Sequence, residues 1–138
     1  MSEYNIFLFL GCGDIFTASS GSIKSPNFPD KYNNYEDCEY LIRLDPGKKM
    51  MLKFARFNLE KSDNCDRDFV KIYNVDTSGR RTLAKTICGG DSIPDFTSDR
   101  NLVDIVFKSD ATSPYPGFDI RYIDADLLKS KCIIDTYY

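Results

Sequence analysis

The segment best suited to chemistry is an acidic stretch near the middle of the chain. Four carboxylates fall within nine residues, beginning with Glu60 and ending with Asp68. Like charges this close repel, so a compact arrangement is costly unless a cation or a basic partner neutralises it. Calcium prefers hard oxygen ligands in a flexible geometry, which loops between rigid strands can present. The stretch therefore predicts a calcium site; the alternative is a set of solvated turn residues paired with Lys61, Arg67 and Lys108.

Composition argues against catalysis and against nucleic-acid binding. The 138 residues include no histidine, which removes Ser-His-Asp and Cys-His nucleophilic arrangements and the HExxH zinc motif. The sequence also lacks a glycine-rich phosphate loop of the GxxxxGK[ST] type. Its net charge is −3, and the basic pairs Lys48-Lys49 and Arg80-Arg81 are too short to follow a phosphate backbone. We therefore expect a binding protein, not an enzyme.

The elements that must position the acidic stretch are predicted to be strands. Apolar residues alternate with a period of two in five segments, and Asp-Pro-Gly or Asp-Thr-Ser-Gly turn sequences or a proline-containing loop separate several of them. These segments are residues 39–44, 50–55, 69–73, 102–107 and 118–123. A return strand is also expected to begin at Leu83, after the Asp-Thr-Ser-Gly turn. Such a pattern predicts an all-β protein, a two-sheet antiparallel β-sandwich. No stretch approaches the roughly 20 apolar residues of a membrane span, so membrane insertion is not expected.

The five cysteines indicate disulfides in an oxidising compartment. They form no CxxC pair, and without histidine their wide spacing favours disulfides over a zinc site. We expect a secreted or extracellular protein, with a cytosolic protein carrying free thiols as the alternative. Four cysteines allow three pairings, which the sequence leaves open. Cys132 lies in a segment without apolar alternation and is interpreted as a free thiol or as half of a disulfide to a cysteine outside this sequence.

One domain with short tails is the predicted organisation. Residues 1–11 contain an apolar run, Ile6–Leu10, that is shorter than a typical signal-peptide core. We interpret this tail as the remnant of a truncated signal peptide in preference to a first strand. The domain is predicted to span residues 12–123, followed by a tail or linker over residues 124–138.

From Cys12 to about Tyr122 the chain resembles the CUB domain family of extracellular binding modules. The resemblance covers the acidic stretch and several short motifs in order, namely Cys12-Gly13, Ser25-Pro26-Asn27-Phe28-Pro29 followed by Tyr32, Cys38-Glu39-Tyr40, Ile72-Tyr73, Cys88-Gly89 and Phe107-Lys108-Ser109-Asp110 leading to Gly117-Phe118. It implies a jelly-roll-like sandwich with two disulfides, Cys12–Cys38 and Cys65–Cys88.

The resemblance also implies one bound calcium ion at one end of the sandwich. The ligand motif of calcium-binding members falls on Glu60, Asp68 and Asp110, all of the required type. Oxygens of Thr112 or Ser113 are expected to complete the coordination shell.

In calcium-binding members the ion orients acidic side chains toward a lysine or arginine of an extracellular protein partner. We expect Glu60 and Asp110 to be shared between ion and partner, with Tyr32 and Tyr35 as further partner-binding candidates because aromatic residues outside strands can anchor interfaces. Ser20 stands where such members often carry a tyrosine, which is expected to weaken the support of the site. The alternative function is a structural spacer or oligomerisation unit of a larger secreted protein, such as a protease, without a functional calcium site.

Overall fold

The computed structural model describes residues 11–90, 92–112 and 115–129. The elements within these ranges are strands and one short 3₁₀ helix. The strands are β1 (Gly13–Phe16), β2 (Ser20–Lys24), β3 (Asp37–Arg43), β4 (Met50–Asn58), β5 (Phe69–Val75), β6 (Arg81–Ile87), β7 (Phe96–Thr97), β8 (Leu102–Lys108) and β9 (Gly117–Asp124), and the 3₁₀ helix is Ala125–Lys129.

The strands form two sheets. One sheet has the order β1-β3-β8-β5-β6, and the other has the order β2-β9-β4-β7. Neighbouring strands are antiparallel except β1 and β3, which pair in parallel. The predicted all-β, two-sheet sandwich is confirmed, with β1 as the exception to its antiparallel pairing.

The core lies between the sheets and follows the period-two pattern of the sequence. In β8 the side chains of Val103, Ile105 and Phe107 are fully buried, because alternate residues of a strand face the same side of its sheet. The Phe118 ring of β9 meets the Phe107 ring edge to face, with centroids 5.1 Å apart. Contacts of this kind between the two sheets hold the ends of their strands in fixed relative positions.

Two disulfides are present, with the pairing that the family resemblance implies. Cys12 is bonded to Cys38, and Cys65 is bonded to Cys88. The bonded cysteines are 26 and 23 positions apart, and closing a loop of that size is worth about 3 kcal/mol in the chain-entropy model. The second bond attaches the acidic loop to the end of β6. Cys132 lies outside the described residues.

The predicted end of the domain at residue 123 falls inside the last strand. β9 continues through Asp124, whose backbone N–H donates to the Ser19 carbonyl at 2.7 Å. The following Ala125 N–H donates to the Lys49 carbonyl at 2.8 Å. In the described part of the chain, no helix has the length and apolar character needed to cross a membrane. Of the predicted tails, residues 1–10 and 130–138 lie outside the described residues, while Ala125–Lys129 form the 3₁₀ helix.

Candidate metal centre

Three carboxylates from separate connections meet at one end of the sandwich. Glu60 follows β4 by two residues, Asp68 directly precedes β5, and Asp110 follows β8 by two residues. The start of β5 lies beside the end of β8 because the strands are antiparallel, with Phe69 opposite Lys108. One carboxylate oxygen from each acid lies within 4.8 Å of the others. The fold therefore brings together the three acids that the family resemblance selects.

Asp68 is the most buried member of this triad, with no exposed surface. Its Oδ2 accepts a hydrogen bond from the Tyr32 hydroxyl at 2.5 Å, and its Oδ1 accepts one from the Asp110 backbone N–H at 2.8 Å. Burial raises the pKa of the Asp68 carboxyl above its usual range, and the neighbouring carboxylates of Asp110 and Glu60 raise it further, against the effect of the two hydrogen bonds. Among the ion pairs of the described residues, none involves Asp68.

Glu60 presents one paired and one unpaired oxygen. Its Oε2 lies 3.2 Å from Nη1 of Arg67, whose side chain is 60 % exposed. The Oε1 atom is buried and has no hydrogen-bond partner among the described residues. Leaving a buried charged acceptor without a donor is costly. Asp104 and Asp119 each have one such oxygen outside the triad, so at Glu60 it is the convergence with two other carboxylates that favours a cation.

Asp110 forms the half-buried rim of the triad. Its Oδ1 accepts a hydrogen bond from the backbone N–H of Thr112 at 3.1 Å, and the Thr112 hydroxyl lies 3.5 Å from the same oxygen. The Asp110 carbonyl accepts a hydrogen bond from the N–H of Tyr35, whose side chain is 75 % exposed. Thr112 and Tyr35 therefore lie beside the triad, while Ser113 lies outside the described residues.

Tyr32 does not form the exposed contact that was expected of it, because only 1 % of its surface is accessible. Its ring packs edge to face on Phe107, with centroids 5.1 Å apart. Its hydroxyl donates to Asp68 and accepts from the Glu60 backbone N–H at 3.3 Å. Burial, together with the Asp68 carboxylate, raises the pKa of the Tyr32 phenol above its usual value. The expectation of a partner contact is thus corrected: Tyr32 is a buried residue that bonds the Asp68 carboxylate and the Glu60 backbone.

The same observation bears on the expected weakness at Ser20. Ser20 begins β2 and pairs with Ile123. Ile123 lies near the end of β9, whereas Gly117 is the first residue of that strand. The tyrosine whose hydroxyl contacts the triad is Tyr32, from the connection between β2 and β3. A buried tyrosine hydroxyl usually finds a hydrogen-bond partner, but only the folded connection reveals which partner it finds.

The donor set fits a calcium ion. All three acids supply carboxylate oxygens, the hard ligands that calcium prefers. The unpaired Glu60 oxygen and the convergence of the three carboxylates within 4.8 Å leave a position where a cation would interact with all three acids. A calcium ion would be held by Glu60, Asp68 and Asp110 and would supply the missing positive charge.

The fold and this acidic end define a disulfide-bonded β-sandwich binding module. The family model described as CUB domain matches residues 12–122, and the chain belongs to the CUB domain family.

Similar proteins include a relative of which this chain spans only a small part and domains of solved structures. The chain is 38 % identical over 117 residues to cubilin of Sus scrofa, covering 85 % of this chain but 3 % of that protein. It resembles the structure of the full extracellular region of zebrafish Gpr126/Adgrg6 with a TM-score of 0.72 and 28 % identity, covering 82 % of this chain and 14 % of that one. The MASP-1 CUB2 domain, solved bound to Ca²⁺, has a TM-score of 0.72 and 27 % identity, covering 82 % of this chain and 99 % of that one.

Proposed function

We propose that this CUB domain is an extracellular recognition module in which one calcium ion organises an acidic surface for a basic side chain of a protein partner. Glu60, Asp68 and Asp110 bind the ion, with Thr112 and Ser113 as additional oxygen donors. Residues 12–123 form the functional unit within a larger secreted or cell-surface protein. Its two disulfides and its extracellular relatives support that location.

The convergence of three carboxylates, two of them buried, is the observation that carries the proposal. Exposed acidic clusters are common on proteins without any metal, because water solvates them. Here Asp68 is fully buried and Glu60 is 6 % exposed, so water cannot solvate them freely. Bringing such charges together is favourable only if a cation offsets their repulsion. The calcium-bound MASP-1 CUB2 domain, which has the same fold, supports calcium as that cation.

The partner surface is the exposed side of the triad. Asp110 is half-buried and Glu60 is 6 % exposed, whereas Asp68 is fully buried. A carboxylate that binds calcium with one oxygen can still accept a charge-assisted hydrogen bond from an ammonium or a guanidinium. The exposed Tyr35 ring lies on the loop that is bonded to the Asp110 carbonyl. It can pack against the aliphatic part of a lysine or arginine side chain bound there.

Calcium-dependent unfolding tests the metal site. A ligand that binds only the folded state stabilises it by about 2.7 kcal/mol at a concentration 100-fold above its Kd. We expect millimolar calcium to raise the Tm of the wild-type domain relative to chelator, and this shift to be lost in Glu60→Gln and Asp110→Asn. Asp63→Asn is the matched control, because Asp63 is an exposed acid of the same loop outside the triad.

The outcomes separate the two functions. A calcium shift that persists in both triad variants would place the ion elsewhere. The absence of any shift in the wild-type domain would favour the alternative, a structural spacer or oligomerisation unit without a calcium site. The Tm of each variant in chelator shows whether it is folded, so a lost shift is not mistaken for a lost fold.

A further inference from the structure

The acidic end of the domain already contains a basic side chain. Arg67 Nη1 lies 3.2 Å from Oε2 of Glu60, in the position that a partner's arginine or lysine would take on the same carboxylate. Arg67 is therefore attracted to the same set of charges that the proposed partner would use.

The environment of Arg67 allows its side chain to leave this position. The guanidinium is on the surface, with 60 % of the side chain exposed, whereas the Glu60 side chain beneath it is 8 % exposed. The backbone on either side is held, because Cys65 is bonded to Cys88 and Asp68 accepts two hydrogen bonds. Release of Glu60 thus requires only a side-chain rotation of Arg67, and exposed ion pairs are weak enough to open.

We infer that Arg67 is an internal competitor that occupies Glu60 in place of the basic side chain of a partner, and so lowers the affinity of the domain for that partner and for calcium. The inference rests on the proposed function. Charge explains both effects. The triad carries three negative charges, so Arg67 and a calcium ion together neutralise it completely. Without Arg67 the calcium-bound triad keeps one negative charge to attract a basic group, and the ion meets no neighbouring positive charge.

Calcium binding to the purified domain is the first test. Isothermal titration compares the wild type with Arg67→Gln and with Lys61→Gln, which removes an equal charge from an exposed position in the same loop. We expect Arg67→Gln to bind calcium at least about threefold more tightly than the wild type, and this gain to shrink at 1 M salt, where charge interactions are screened. Lys61→Gln should stay within about twofold of the wild type, since no ion pair joins Lys61 to the triad.

Binding of a basic group is the second test. The peptide acetyl-Gly-Arg-Gly-amide is titrated into each calcium-saturated protein and followed by the amide NMR signals near Asp110, with the citrulline peptide as the uncharged control. Arg67 forms its weak ion pair with Glu60 most of the time. Removing Arg67 should therefore raise the apparent affinity for the arginine peptide about threefold or more. Arg67→Gln should show this gain for the arginine peptide and not for the citrulline peptide.

The two proposals fail in different ways. If neither the wild-type domain nor either variant binds calcium, the proposed function is wrong and the inference is wrong with it. If all three proteins bind calcium and the arginine peptide with equal affinity, the proposed function stands and Arg67 is not a competitor. Weaker calcium binding by Arg67→Gln would also overturn the inference, because Arg67 would then support the site.

Discussion

Replacing Tyr32 by phenylalanine removes one oxygen atom from the buried support of the acidic triad. The hydroxyl donates to the Asp68 carboxylate at 2.5 Å and accepts from the Glu60 backbone N–H at 3.3 Å. The phenylalanine ring keeps the edge-to-face contact with Phe107, so the change is almost purely one of hydrogen bonding. In the variant Asp68 keeps only the Asp110 N–H as a donor, and the Glu60 N–H loses its acceptor.

The cost follows from these two contacts. A hydrogen bond to a charged group contributes about 1.5–3 kcal/mol, and a long neutral bond to a backbone N–H contributes about 0.5 kcal/mol. We therefore expect Tyr32→Phe to lower the free energy of unfolding by about 2–3 kcal/mol. For a domain of this size that corresponds to a fall in Tm of about 8–12 °C.

Urea unfolding in the presence of chelator measures this loss without a contribution from calcium. Tyr35→Phe is the matched control, because Tyr35 is 75 % exposed. Water therefore reaches the site of its hydroxyl, and no buried group loses a partner when the hydroxyl is removed. We expect the control to lie within about 0.5 kcal/mol of the wild type. A loss below about 1 kcal/mol for Tyr32→Phe, or an equal loss in both variants, would refute the view that the hydroxyl holds the carboxylates in place.

Two further predictions concern residues outside the triad. Asp104 is buried on the five-stranded sheet, and its pKa is raised to about 8 by burial and then by the Glu39 carboxylate, against the effect of Arg81. An acid whose pKa is raised in the folded state stabilises the fold fully below its unfolded pKa. This contribution is lost as the pH rises through the folded pKa. Urea unfolding from pH 5 to 9 should therefore show a shallower fall in stability for Asp104→Asn than for the wild type, and equal slopes would contradict this. Gly117 has a φ of 95°, and a Cβ there would lie 1.9 Å from Ser25 Oγ. Gly117→Ala should cost about 2–4 kcal/mol by thermal or urea unfolding. Because Ser25 Oγ also accepts a hydrogen bond from the Phe118 N–H, Gly117→Ala and Ser25→Ala together should cost less than the sum of the two single changes. A strictly additive loss would exclude the steric cause.

The sequence alone determined the class of fold and the identity of the triad. Strands such as β5 and β8 were predictable because burial between two sheets imposes a period of two that local composition records. The short strands β1, β2 and β7 were not identified, since they are too brief to show alternation. The resemblance to the CUB domain family, based on motifs in their order along the chain, implied the disulfide pairing. It also implied the choice of Glu60, Asp68 and Asp110.

Tertiary structure decided how the triad is held. Tyr32 lies 28 positions from Glu60 and 36 from Asp68 along the chain, and no local pattern distinguishes a tyrosine that supports carboxylates from one that faces a partner. The partner of Arg67 was equally open from the sequence, because several acids lie near it along the chain. In the folded domain its ion pair is with Glu60. These features depend on distances between segments that are remote in sequence. Such distances are set only when the two sheets pack together, and they decide which side chains are buried, which groups bond and which charges pair.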